Sequence, residues 1–316
     1  MLTIYVRPPG GGALVPDPGA APDAPATVWV DLLKPSEAEE TAVERALGID
    51  VPTPQERAAE EDSARFYEER GALALTATLL GRREDGPFVS DAVMFVLVKG
   101  KLVTARQIRP RAFEIGQGRA SARIGAAENG AAVLMALLTG CVERLADLIA
   151  ETRAEARKLS MEVLAEASPR LRDTLRRLGH MGALSALCEE SLASLHRLTT
   201  YAAQVCDKHG LAHAELIALN RDVEELERSA NSLEGQLTHL QNATLGLVGA
   251  GQNDTLKALA LATIFFVPPT LIASIFGMNF KAMTWFDTSW GPWVGFALMI
   301  AAPAALFALA RWRRWF

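Results

Sequence analysis

The chain has 316 residues, a formal net charge of −5 and a hydrophobic content of 50%. This mildly acidic balance argues against a nucleic-acid-binding protein, which usually carries a basic face. Three cysteines form no even framework, and the N-terminal stretch MLTIYVRPPGGG has no apolar core. Neither a disulfide-stapled secreted domain nor a signal peptide is therefore expected, and the N-terminal part is predicted to be cytosolic.

Short apolar and β-branched runs in residues 1–120 predict a mixed α/β domain, and the whole chain is predicted to be of the α+β class. The expected strands are Thr3–Val6, Thr27–Leu32, Ala72–Leu80, Ala92–Val98 and Leu102–Arg106. The Gly/Pro/Ala-rich stretch from Gly10 to Pro25 predicts a loop between the first two strands.

Local signals give two further elements of this domain. Lys99 and Gly100 predict a tight hairpin turn between the last two strands. Ser36 and Glu39 have the spacing of a capping box, so a helix is expected to begin after Ser36 and to end at Gly48.

Residues 121–210 are predicted to be a helical region, with the pattern clearest over Glu128–His209. Pro169 and the pair Gly179 and Gly182 are expected to interrupt it. Helices of this region would connect the α/β domain to the C-terminal part of the chain.

One very long helix is predicted after Gly210, because no proline occurs before Pro268. A helix from about Leu211 to Phe276 would be roughly 100 Å long at 1.5 Å per residue, more than a globular domain needs. We interpret residues 211–257 as a stalk that enters a membrane.

Apolar residues along this stalk recur at alternating spacings of three and four. They are Leu216, Leu219, Val223, Leu226, Ala230, Leu233, Leu237 and Leu240. This heptad seam predicts lengthwise packing on other helices. It also fits coiled-coil pairing between copies of a membrane-anchored structural protein.

The C-terminal residues 258–316 are predicted to be a transmembrane domain. The uncharged runs 258–276 and 292–310 each have 19 residues, enough to cross the hydrocarbon layer, and residues 277–291 form the loop between them. Five of the six tryptophans follow residue 284, as in an interfacial belt, and three arginines follow the second run. The positive-inside rule then places both termini in the cytoplasm and the loop outside.

A second face of the long helix is small and polar. It comprises Asn242, Asn253, Leu256, Ala260, Thr263, Val267, Thr270 and Ser274. Its hydroxyls lie within about 40° of one another at 100° per residue, which fits either close helix packing or the lining of a pore. Leu256 and Val267 would be apolar constrictions of such a pore. Because two helices cannot enclose a water-filled path, a pore requires a cyclic homo-oligomer.

The segment QNATLGLVGAGQNDTLKALALATIFFVPPTLIASIFGMNF resembles the CorA magnesium-transporter family, in Gly277-Met278-Asn279 and in the preceding PPTLIAS. Residues 28–50, VWVDLLKPSEAEETAVERALGID, are similar to the family's N-terminal strand-helix unit. The resemblance implies a homopentamer in the cell inner membrane, surrounded by lipid, with its first spans around a pore that takes up Mg²⁺.

The resemblance also assigns roles to residues. Gly277, Met278 and Asn279 would form the selectivity filter, with Asn279 and the Gly277 backbone binding the hydrated metal ion. Asn253, Thr270 and Ser274 occupy positions that face the pore in relatives.

Cytoplasmic carboxylates sense intracellular Mg²⁺ in this family, and Asp91, Glu84 and Asp85 are candidate sensors here. No nucleotide-binding or catalytic motif is found in the sequence, so we expect neither an organic cofactor nor an enzyme.

Several residues depart from the family pattern. Lys281 stands where an acid is common, and Asn242 where many relatives have aspartate. A transporter for Zn²⁺, Co²⁺ or Ni²⁺ of the ZntB-like branch is therefore the alternative. Cys206, His209 and His213 have a spacing that a zinc site could use, but Gly210 would break the helix between them, so packing roles are favoured.

Overall fold

The structure of this protein is a computed structural model, and it divides into two compact units, Met1–Leu240 and Gln241–Phe316. It describes residues 1–8, 13–53, 56, 65–82, 86–122, 129–165, 171–278 and 289–313.

A seven-stranded sheet forms the centre of the first unit. Its strands are β1 (Leu2–Val6), β2 (Val15–Pro16), β3 (Thr27–Leu33), β4 (Phe66–Glu69), β5 (Ala72–Arg82), β6 (Phe88–Val98) and β7 (Lys101–Arg106). In the order β2-β1-β3-β7-β6-β5-β4, only β3 and β7 are parallel, and all other neighbours are antiparallel.

All five predicted strands are confirmed, each longer than expected by one to four residues. The hairpin turn is also confirmed, because Lys99 and Gly100 have φ of 50° and 74°. Two strands were not predicted from the sequence. Strand β2 corrects the expected loop Gly10–Pro25, and β4 is a short FYEE segment. Both are strands through backbone pairing with β1 and β5, and neither is long enough to have a clear period of two.

Helix α1 (Glu37–Leu47) covers one face of the sheet. Its predicted capping box is confirmed, since the Ser36 Oγ accepts from the Glu39 N–H at 3.4 Å and the Glu39 Oε2 accepts from the Ser36 N–H at 2.9 Å. Val43 and Leu47 are fully buried and pack with the apolar side chains of β3, β6 and β7.

Three helices contribute to the core on the other face of the sheet: α2 (Arg111–Ala122), α3 (Gly130–Ala165) and α4 (Leu171–His209). The expected break at Gly179 and Gly182 is wrong, because α4 runs through both residues without interruption. A helical glycine costs only about 1 kcal/mol relative to alanine, and the burial of neighbours such as Leu178 and Met181 offsets it. Pro169 lies outside the described residues.

The predicted long helix is confirmed as α5 (His213–Gly277), 65 residues long, and α6 (Gly291–Trp312) follows it. Gly210, with φ of 67°, separates α5 from α4, and the Leu211 N–H caps α4 by donating to the Cys206 carbonyl at 3.1 Å.

The heptad seam of α5 lies in the first unit and is buried within the chain. Seven of its eight side chains are at most 8% exposed, and Leu226 is partly buried against the same core as α3 and α4. Two hydrogen bonds fix these neighbours: Arg153 of α3 donates to the Ser229 carbonyl at 2.8 Å, and Asn220 donates to Thr200 of α4 at 3.0 Å. The predicted lengthwise packing is confirmed, and its partners are helices of the same chain.

Candidate functional site

The second unit consists of the C-terminal part of α5 together with α6. Both helices contain an 18-residue window with a mean hydropathy of 2.1, and 0% and 17% of these windows are buried in the chain. Large apolar side chains are open, with Phe266 72% and Ile300 73% exposed. Exposed apolar helix surfaces of this kind are stabilised by contact with lipid or with further helices, and not by contact with water.

One side of α5 packs against α6. The rings of Phe265 and Phe307 have centroids 6.0 Å apart, and the ring of Phe276 lies against Gly295. A Cβ at Gly295 would be 2.8 Å from the Phe276 Cε1, so only glycine allows this approach. This contact was not predicted from the sequence, and its only local signal is a glycine within an apolar helix.

The predicted hydroxyl face lies on the opposite side of α5. Thr263, Thr270 and Ser274 are exposed in the chain. At 100° per residue, the centre of this face is about 150° from Phe265 and Phe276. The packing of α6 therefore leaves the hydroxyl face uncovered within the second unit.

The hydroxyl groups on this face all donate to their own helix. The Thr263, Thr270 and Ser274 hydroxyls donate to carbonyls four residues earlier at 2.9, 2.6 and 2.8 Å. A hydroxyl that has donated its proton still has lone pairs that accept hydrogen bonds. The face therefore presents acceptors without fixed charge.

The rest of the predicted polar face is also exposed. Asn242 and Asn253 present amide groups, and Ala260 is open. The apolar side chains of Leu256 and Val267 are 64% and 54% exposed, which leaves them free to contact other molecules.

Helix α5 ends at the first residue of the predicted filter. Gly277 and Met278 are exposed, and the Met278 N–H donates to the Ile275 carbonyl at 3.3 Å. Asn279 lies outside the described residues, and so does Lys281. The filter geometry therefore stays a prediction.

Of the three candidate ion sensors, the structure describes only Asp91. Asp91 lies in β6 of the first unit, where its Oδ1 accepts from the Ala92 N–H at 2.9 Å. Glu84 and Asp85 lie outside the described residues. Among the residues that the structure covers, no group of three or more His, Cys, Asp and Glu side chains is arranged to hold a metal ion.

Two of the three residues with zinc-like spacing contact each other. The Cys206 Sγ lies 3.2 Å from the His213 Nδ1, across the turn at Gly210. His209 instead approaches Glu68 of β4, with 3.5 Å between Nε2 and Oε1. The structure thus brings Cys206 and His213 together and places His209 against β4.

The comparison with protein families gives one match over most of the chain. The model of the family described as CorA-like Mg²⁺ transporter protein matches residues 25–312. The chain belongs to this family. The resemblance seen in the Gly277-Met278-Asn279 segment is thereby confirmed over residues 25–312.

Individual CorA relatives are distant in sequence but similar in length. The magnesium transport protein CorA of Wolinella succinogenes is 28% identical over 293 residues, covering 90% of this chain and 91% of the relative. The magnesium transport protein CorA of Salmonella typhimurium is 27% identical over 292 residues, covering 91% and 92%.

Two solved structures have the same fold. The complete CorA magnesium transporter of Methanocaldococcus jannaschii superposes with a TM-score of 0.76 at 16% identity, covering 98% of this chain and 97% of that chain. The full-length CmaX protein gives a TM-score of 0.73 at 16% identity, covering 100% and 98%. The predicted α+β fold with a long stalk helix and two C-terminal spans is confirmed, and the family and the two apolar helices together place this CorA-like chain in a membrane.

Proposed function

We propose that copies of this chain surround a common axis and conduct divalent cations, Mg²⁺ first, along the hydroxyl face of α5. The observation that carries the proposal is the exposure of Thr263, Thr270 and Ser274 on the side of α5 opposite α6. Membership of the CorA-like family and the names of the relatives, magnesium transport protein CorA, support the same function.

The chemistry of this face suits a hydrated ion. Mg²⁺ gives up its water reluctantly, and coordinated water donates hydrogen bonds outward. The three hydroxyl oxygens and the amides of Asn253 and Asn242 can accept from such water without binding the ion tightly. Leu256 and Val267 would form apolar constrictions that close the path by losing water.

The filter lies at the outer end of this path. Asn279 and the backbone at Gly277 would hydrogen-bond the water of the ion, and Met278 would pack behind them. Their place at the end of α5 and the Gly-Met-Asn sequence support this assignment. A potential of 100 mV, negative inside, favours the entry of a dication by about 4.6 kcal/mol, so influx requires no other energy source.

The assembly is proposed to be a homopentamer in the cell inner membrane, with both termini in the cytoplasm. Arginines after the second span support this orientation. Mg²⁺ inside the cell would close the pore through cytoplasmic carboxylates, for which Asp91, Glu84 and Asp85 are the candidates. The boundaries at residues 120, 210 and 257 stay predictions.

Two competing functions make different predictions. A coiled-coil anchor would need a free heptad seam, whereas the seam is buried against helices of its own chain. A Zn²⁺, Co²⁺ or Ni²⁺ transporter would share the architecture. Its only support is Lys281, which stands at a loop position where Mg²⁺-transporting relatives commonly have an acidic residue.

The experiment that tests the proposal is dication uptake into proteoliposomes containing the full-length chain. Asn279→Ala should abolish Mg²⁺ uptake, because the filter loses its amide collar. The matched control is Asn231→Ala, which makes the same change at an exposed position of the first unit and should leave uptake unchanged.

Mass measurement in detergent accompanies the flux assay. A pentamer of the 34.0 kDa chain has a mass of about 170 kDa, and both variants should retain it. Full uptake by Asn279→Ala would overturn the filter, and a dimer without flux would support the anchor. Zn²⁺ flux that excess Mg²⁺ leaves untouched would favour the alternative ion.

A further inference from the structure

A basic cleft of about 300 Å³ lies at one end of the sheet in the first unit. The charged residues among its described lining are four arginines and one carboxylate: Arg82, Arg109, Arg111, Arg144 and Glu114. The arginines come from the end of β5, the segment before α2, the first residue of α2, and α3. These five described side chains carry a net charge of +3, in a chain whose formal net charge is −5.

Two of these arginines are held directly opposite each other. Arg82 and Arg109 form an isolated antiparallel bridge, in which the Arg109 N–H donates to the Arg82 carbonyl at 3.1 Å. Like charges at directly opposite positions destabilise a β-pair. The neighbouring Gly81 makes the approach possible, since a Cβ there would be 2.8 Å from the Ile108 side chain and 3.2 Å from the Pro110 nitrogen. The backbone pairing thus places the like-charged side chains of Arg82 and Arg109 at opposite positions of the bridge, where they repel each other.

Carboxylates do not neutralise this pair in the described part of the chain. Arg82 stacks on the Phe88 ring at 4.4 Å, and the guanidinium groups of Arg82, Arg109 and Arg111 form no ion pair among the described residues. Arg144, whose side chain is 17% exposed, has one weak contact of 3.4 Å to the exposed Glu151. This cation–π contact holds the Arg82 guanidinium over the ring.

Helix α2 adds to the positive potential. It begins at Arg111, one of the lining residues, so the positive end of its dipole lies near the cleft. Planar guanidinium groups bind phosphate oxygens in pairs, which makes arginine the preferred residue for phosphate recognition. A cleft of this volume lies at the small end of the range for ligand sites.

We propose that this cleft binds a phosphate-bearing anion with at least two negative charges, held by Arg82, Arg109 and Arg111 with Arg144 behind them. The anion relieves the repulsion between Arg82 and Arg109. The site is separate from the ion path, and its occupancy does not depend on whether the chain conducts Mg²⁺. The phosphate comes from a soluble diphosphate-type metabolite or from a phospholipid headgroup.

The test for a soluble source uses the full-length chain in phosphatidylcholine nanodiscs, with EDTA to remove divalent ions and labelled pyrophosphate as the probe. Equilibrium dialysis should give saturable binding, about tenfold or more weaker in the double variant Arg109→Gln/Arg111→Gln. The control double variant Arg7→Gln/Arg45→Gln changes the net charge equally at exposed positions of the same unit and should bind normally.

Thermal melts show whether a loss of pyrophosphate binding results from misfolding of the variant. Without phosphate, the Arg109→Gln/Arg111→Gln variant should melt at the same temperature as the parent or higher, because the repulsion is removed. Pyrophosphate should raise the melting temperature of the parent and of the control, but not that of this variant. Equal binding by the site variant and the parent would overturn the proposal.

The lipid source is tested by repeating the dialysis in nanodiscs that contain phosphatidic acid. Loss of pyrophosphate binding there, with protection of Arg109 from phenylglyoxal, identifies the headgroup as the occupant. Undiminished pyrophosphate binding in these discs identifies the soluble anion. The absence of both saturable pyrophosphate binding and phosphatidic-acid protection would overturn the site.

Discussion

Apolar side chains are buried in the first part of helix α5 and exposed in its second part. In the first unit, Leu216 and Val223 have no exposed surface, because the heptad seam packs on helices of the same chain. In the second unit, Leu259 and Phe266 are 64% and 72% exposed. The first part of the helix is stabilised by its own chain, whereas the second requires lipid or other copies to cover it.

Polar groups differ in the same way between the two units. In the first unit, the buried Asp31 accepts from Thr104 at 2.7 Å and pairs with Arg106 at 2.7 Å, so its charge is used within the fold. In the second unit, the Thr270 and Ser274 hydroxyls donate to their own helix and keep exposed acceptor oxygens. The acceptors of the second unit are therefore available to something outside the chain.

The largest expected effect comes from placing a charge in the heptad seam. Val223→Asp buries a carboxylate without a partner and should lower the free energy of unfolding by about 4 kcal/mol. Ile217→Asp, on the same helix but 38% exposed, should cost about 1 kcal/mol or less. Thermal melts of the full-length chain in detergent, followed by circular dichroism, compare the two. Equal destabilisation would contradict the difference between buried seam and open surface.

The contact between α5 and α6 should be sensitive to added volume. Gly295→Val places atoms against the Phe276 ring and should cost about 1–3 kcal/mol. Gly251→Val is the matched control, because a Cβ at Gly251 meets nothing within 4 Å. Combining Gly295→Val with Phe276→Ala should recover part of the loss. Strictly additive effects on the detergent melting temperature would show that the two residues do not interact.

The smallest expected effect concerns Glu189 of α4. Burial raises the pKa of this carboxyl above its ordinary value, and the nearby charge of Glu234 raises it further. The folded chain therefore holds this proton more tightly than the unfolded chain, so stability falls as the pH rises from the ordinary value through the raised pKa. Glu189→Gln should raise the melting temperature slightly at pH 7.

This gain should shrink as the pH falls through the raised pKa and vanish below the ordinary glutamate pKa of about 4.3, where the carboxyl is protonated in both states. Glu225→Gln, at an exposed position of α5, should change the melting temperature little at either pH. A constant gain for Glu189→Gln across this range would show that the effect is not due to its charge.

Much of the fold follows from local patterns in the sequence. Alternation and turn residues predict five strands, and Ser36 with Glu39 predicts the start of α1. The absence of proline between Gly210 and Pro268 predicts one long helix there, and α5 continues through Pro268 and Pro269. Strands β2 and β4 and the continuity of α4 through Gly179 could not be predicted this way. Their conformations depend on pairing and burial against residues far along the chain.

The candidate site also has features that the sequence predicts and features that depend on tertiary contacts. The spacing of Thr263, Thr270 and Ser274 predicts that they share one face, because a helix repeats every 3.6 residues. That this face lies opposite α6 depends on the Phe276–Gly295 contact, and the basic cleft depends on Gly81 bringing Arg82 beside Arg109. Neither the Phe276–Gly295 contact nor the Arg82–Arg109 pairing can be predicted from a local sequence pattern.

The sequence by itself determined the two ends of α1, the apolar seam, the presence of two long apolar helices and the shared face of the hydroxyls, since each depends on residues within a few turns of one another. Only the tertiary structure decided which helices cover the seam, which side of α5 stays open and which arginines meet. Those outcomes depend on contacts between residues that are distant in sequence, where close packing permits one arrangement and excludes others.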